Sequence, residues 1–143
     1  MMRLCLVLLV GLLWPPGLRA QTVEQPLVLV ASAHSAIRQL SADETRKLYL
    51  GMPMIVGGQR VRPLRNANPK VQEMFMQKVM FMSTPAYERQ ILSRVFRMGG
   101  SRPPAYVELR ELLAALERDP AAVTYLPREI AVARPGLKVV GDL

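Results

Sequence analysis

Cysteine is almost absent from this chain. The single one, Cys5, falls within the first twenty residues, "MMRLCLVLLVGLLWPPGLRA". That stretch opens with Arg3, runs apolar from Leu4 to Trp14, breaks at Pro15-Pro16-Gly17 and reaches Ala20. A basic start, an apolar middle and a small-residue exit make a secretory leader. The apolar run is short of the roughly 20 residues that a membrane-spanning helix needs. Cleavage after Ala20 is expected, with an uncleaved anchor as the alternative. The remainder, residues 21–143, is 123 residues long and suits one domain. It holds no cysteine, which excludes disulfides, thiolate metal sites and a cysteine nucleophile. No cysteine stands at the cut to carry a lipid either. The expected product is a soluble periplasmic protein without a stable membrane span.

Histidine is equally scarce. His34 is the only one, so a catalytic triad would need it together with a serine and an acid, and no G-x-S-x-G elbow is present to offer that serine. Glu73, Glu88, Glu108, Glu111 and Glu117 lie on predicted helix faces, where solvated carboxylates are ordinary. The chain therefore reads as a protein without catalytic residues and without a cofactor. Methionine is the opposite case, with nine in the chain and four crowded into "MFMQKVMFM". Soft thioethers suit copper, but Met74 and Met76 project about 200° apart around a helix. Met76 and Met80 share a face without another soft neighbour, so core filling is the better account.

No long run of one charge is present either; the longest basic run is Arg46-Lys47. Losing Arg3 and Arg19 with the leader lowers the formal charge from +8 to +6. Such a surface attracts anions of every size, and export removes nucleic acid as the usual partner.

The element pattern is clearer. "LVLVAS" (27–32) is a short apolar run of the kind found in buried strands. In "LSADETRKLYLG", Ser41 and Glu44 form a capping box for a helix over 42–50, ended by Gly51. "MIVGGQRVRPL" predicts a hairpin turning at Gly57-Gly58, with Met54, Ile55 and Val56 facing Val61 and Leu64. A helix starting at Pro69 carries Val71, Met74, Phe75, Val79 and Met82 on one face. The next starts at Pro85 behind Thr84 and aligns Tyr87, Ile91, Val95 and Met98. After the break at "MGGSRPP", a fourth helix over about 105–118 stacks Leu109, Leu112, Leu113 and Leu116. Strands "AVTYLP" and "LKVVGDL", split by Arg134-Pro135-Gly136, close the chain. With no repeat or linker, the pattern is a small α/β fold, α+β being the alternative, with about four helices.

Two places combine donors for an anion. At "RNANPKV", Asn68 is a good N-cap and Pro69 a good first helical residue. The amides of that turn, with Lys70 on it, then lie near Arg65 and Asn66, and a helix start favours negative charge. At "GGSRPP", flexible glycine amides stand beside the Ser101 hydroxyl and the Arg102 fork.

The order of these motifs resembles the phosphate-binding-protein-like proteins of ABC transport. "LSADETRKLYLG" is similar to their L-S-x-x-E-(L/V)-x-x-I-(F/Y)-L-G, and "VRPLR" to their V-x-P-x-R ahead of a helix. "RPP" and "DPAAVTYLP" extend the likeness over about 27–130. The resemblance implies a type 2 periplasmic binding fold that holds phosphate with helix N-termini, hydroxyls and an arginine. It places Arg65 at that arginine and Ser32 at a hydroxyl position after the first strand. Asn66-Ala67-Asn68-Pro69 stands where the family has Ser-Gly-Thr, and Thr124 where it has glycine. Length allows only one lobe, so the resemblance implies an open half-site that binds a small oxyanion such as phosphate weakly. The alternative is a docking protein of the same fold, bound to an envelope or transporter protein. On either reading the domain spans 21–143.

Overall fold

The computed structural model describes residues 25–143, so the leader expected over 1–20 lies outside the described residues. Strand β1 (Leu27–Ser32) is the spine. It pairs antiparallel with β7 (Ala122–Pro127) on one side and β8 (Leu137–Asp142) on the other. A two-residue strand, β4 (Arg62–Pro63), joins the far edge of β7 in parallel, which gives the order β4-β7-β1-β8. Every residue of β1 and β7 is buried, because helices cover both faces of the sheet. That explains the uninterrupted apolar run of β1.

Alternate residues of β1 feed two cores. Leu27, Leu29 and Ala31 meet α1 (Ala42–Tyr49), α2 (Pro69–Phe75) and α3 (Thr84–Met98) through Tyr49, Phe75, Tyr87 and Ile91. Val28 and Val30 meet α4 (Leu109–Arg118) through Leu112, Leu113 and Leu116, together with Ala131 of α5 (Arg128–Val132). Each fully buried aliphatic or aromatic side chain of this kind contributes about 1.5–3 kcal/mol. The period of two along the strand is thus what divides the molecule into layers.

Local signals held in several places. Ser41 Oγ accepts from the Glu44 amide at 3.1 Å, and Glu44 Oε2 accepts from the Ser41 amide at 2.8 Å. Asn68 caps α2, with Pro69 as its first residue. The fold differs from the sequence expectations in five details. The hairpin pairs β2 (Ile55–Val56) with β3 (Gln59–Arg60) and keeps the expected Met54–Val61 contact as a bond from the Val61 amide to the Met54 carbonyl at 2.8 Å, but Leu64 leaves it and donates its amide to Val123 of β7. After Phe75 the α2 backbone widens into a π-helical segment (Met76–Met80), closed by Phe81 in the left-handed region at φ 55°. Periodicity does not register the extra residue in such a turn. Met76 and Met80, spaced to share an ion, belong here to the apolar core. The cap of α3 is Ser83 rather than Thr84. Helix α4 starts at Leu109 rather than 105, because Ala105–Tyr106 forms β6 beside β5 (Arg65–Asn66). The short α5 fills the connection between the last two long strands, giving five α-helices among the described residues.

Among the described residues no helix is long and apolar enough to cross a membrane.

Candidate functional site

The corner at Leu64–Asn66 is built on tyrosines. Tyr49 donates its hydroxyl to the Leu64 carbonyl at 2.7 Å, and the Thr124 hydroxyl donates to the same oxygen at 3.0 Å. Tyr125 donates to the Asn66 carbonyl at 3.0 Å, while Asn66 Nδ2 returns a bond to the Tyr125 carbonyl at 3.3 Å. Tyr87 donates to the Tyr49 carbonyl at 2.7 Å and ties α3 to α1. Phe75 stacks on Tyr125 with ring centroids 3.7 Å apart, and Tyr49 meets both rings edge-on. Burial pushes the Tyr87 phenol up to about 12, and raises Tyr49 and Tyr125 as well. These hydroxyls stay protonated and serve as donors. Thr124 thus fills a structural position.

Arg65 stands on this platform and is almost wholly buried, at 3% exposure. Its guanidinium lies over the Tyr87 ring, 5.0 Å from the centroid. It donates to Glu88 Oε1 at 2.5 Å and, more loosely, to Gln72 Oε1 at 3.4 Å. Its Nε is buried without a partner. The second carboxylate oxygen of Glu88 holds the exposed Arg102. One half-buried carboxylate therefore bridges two guanidinium groups, and the cluster Arg65–Glu88–Arg102 keeps a net positive charge.

The remaining predicted residues divide around this cluster. Asn66 is buried, and its Oδ1 accepts from the Asn68 amide at 3.1 Å. Asn68 Oδ1 accepts from the Val71 amide at 3.3 Å, and its carbonyl takes the Gln72 amide at 2.8 Å. Two amides of the first turn of α2 are therefore already engaged, and the group on α2 that meets Arg65 is the Gln72 side chain. Lys70 and Ser101 are exposed. Ser32 is buried at the end of β1, where its Oγ accepts from the His34 amide at 3.3 Å. Tyr125 pairs with Leu29, so Ser32 lies three residues farther along β1, a displacement of about 10 Å. The structure thus joins Arg65 and Arg102, keeps Asn66 and Asn68 in the adjoining backbone scaffold, and leaves Ser32 apart.

Sequence reasoning missed Glu88 and Gln72. Glu88 was grouped with the solvated acids of helix faces, and only the approach of α3 to β5 makes it a counter-ion. No spacing within α3 marks it out.

No protein-family model matches this chain, and no curated protein matches it. Solved structures with a matching fold include an ABC-type phosphate transport receptor from Vibrio cholerae, at a TM-score of 0.58 and 12% identity. The alignment covers 80% of this chain and 45% of the receptor, so the chain spans less than half of the receptor's length. The likeness is one of fold: a mixed α/β layer structure resembling a domain of a periplasmic binding protein.

Proposed function

We propose that this chain is an exported, non-catalytic binding module that takes a small oxyanion such as phosphate at the Arg65–Glu88–Arg102 cluster. One observation carries the reading: a buried arginine with an unpartnered Nε is held by a carboxylate that is itself partly open to solvent. An incoming oxyanion competes with Glu88 for both guanidinium groups and meets a fork already aimed by Tyr87 and Gln72. The receptor-like fold supports the ligand class, and the exposure of Arg102 with the partial exposure of Glu88 supports an open, wet site. Affinity is expected to be low, with a Kd on the order of 1 mM, equivalent to about −4 kcal/mol.

Calorimetry with phosphate and sulfate tests the reading. Glu88→Gln removes the internal competitor and is expected to tighten phosphate about tenfold, or roughly 1.4 kcal/mol. Arg102→Gln is expected to weaken it. No binding at millimolar phosphate by the native chain and by Glu88→Gln would overturn the proposal. N-terminal sequencing of the envelope fraction tests export, with Gln21 as the expected first residue.

The docking alternative has its own support. Asn66, Asn68 and Ser32 already satisfy neighbouring backbone groups, whereas Leu92 and Phe96 lie exposed one helical turn apart on α3. A chain indifferent to anions that loses an envelope partner on Phe96→Ser would support docking instead.

A further inference from the structure

Beyond the outer edge of β4 lies a cleft of about 420 Å³, within the range of small-ligand sites. Its apolar wall is made by Leu48, Val61, Leu64, Ile91 and Val95. Its polar side is all of one sign. Arg60, Arg62, Arg94 and Arg102 line it, and no carboxylate does.

These four arginines are not equivalent. Arg62 is spoken for by a two-pronged contact with Asp119, at 2.5 Å on each prong, and Arg102 by Glu88. Arg60 and Arg94 have no counter-ion among the described residues. Arg94 is half-buried and crosses directly over Gly51, so that a Cβ built there would lie 2.9 Å from both its Cδ and its Nε. The missing side chain at Gly51 is what lets the Arg94 stem lie down toward the cleft. Gly51 also sits at φ 91°, a conformation that suits glycine. A helix-stop glycine thus has a second use, as the floor beneath a cation.

An apolar wall under uncompensated guanidinium groups matches one class of molecule. The geometry points to a second ligand site, for a small amphiphilic anion whose aliphatic body lies against Leu64, Ile91 and Val95 and whose oxyanion head meets Arg60 and Arg94. Inorganic phosphate has no apolar body to bury there, so this site differs from the Arg65 cluster in chemistry, although Arg102 borders both. The head gains a charge-assisted, two-pronged contact. The body gains burial at about 25 cal/mol per Å² of apolar surface. Neither half suffices alone, and the preference is for molecules that carry both.

Calorimetry and thermal shift with octanoate, acetate and neutral 1,2-octanediol test this. Octanoate is expected to bind and to stabilise the fold, at least tenfold better than acetate or the diol. Arg94→Gln is expected to weaken octanoate at least fivefold. Val95→Phe, which fills the cleft with apolar volume, is expected to weaken it without unfolding the chain. Glu88→Gln frees Arg102, which borders the cleft as well, and is expected to tighten octanoate no more than about twofold, against the tenfold gain for phosphate, which separates the two sites. Octanoate no better than acetate, or equal octanoate binding by the native chain, Arg94→Gln and Val95→Phe, would overturn the assignment.

Discussion

Two arginine-bearing regions sit within a few residues of each other and use the same side chain differently. At the Arg65 corner the guanidinium is buried, lies over Tyr87 and is paired with Glu88, a carboxylate it shares with Arg102, and the surrounding carbonyls are held by tyrosine and threonine hydroxyls. Across β4, Arg60 and Arg94 line an apolar cleft without a counter-ion among the described residues. A buried cation has to be compensated by the fold itself, whereas a solvated one can wait for a ligand. Charge count therefore says little about binding. What matters is which charges the fold has already matched.

Mutations should divide along that line. The largest effect is expected at the aromatic platform under Arg65. Phe75→Ala removes a fully buried ring stacked on Tyr125 and should cost about 3–5 kcal/mol in urea unfolding. Glu88→Gln leaves Arg65 without its full counter-charge and should cost about 1–2 kcal/mol, even as phosphate affinity rises. A loss below about 0.5 kcal/mol, within the range of ordinary surface substitutions, would erase the contrast between the two regions.

Acidification gives a smaller effect. Hydrogen bonding and charge from Arg62 hold the Asp119 carboxyl below its ordinary value. A group whose folded pKa is depressed stabilises the fold above its unfolded pKa, and that share is lost as pH falls through the folded value. The loss should appear below about pH 4, and Asp119→Asn should flatten the fall in melting temperature there. Because Arg62 is largely exposed, the share is less than about 1 kcal/mol. Smallest of all, Arg94→Gln should change stability by less than about 0.5 kcal/mol. A larger change in chemical denaturation would mean that the cleft arginine is structural after all.

The sequence disclosed most of what is local. The strand at 27–32, the Ser41–Glu44 box, the Asn68-Pro69 helix start and the two closing strands each depend on neighbouring residues, and each is where its signal lies. What depends on tertiary approach was hidden. Arg65 was legible as a corner arginine, but its partner Glu88 comes from a helix 23 residues away. Leu64 was assigned to a hairpin because its apolar character fits one, and it is claimed by β7 instead. Arg94 and Gly51 are more than 40 residues apart, so neither residue announces the other.

The brevity of β4 has one more consequence. As the outermost member of the sheet it is two residues long; the amides of Arg62 and of Leu64, just past its end, point inward to the Ala121 and Val123 carbonyls, and Pro63 lies between them. It therefore presents no row of backbone donors on which a foreign chain might build another strand. Visitors on that flank have to be recognised by side chains, so a library of loose peptides would be a poor bait there and a library of small acids a good one.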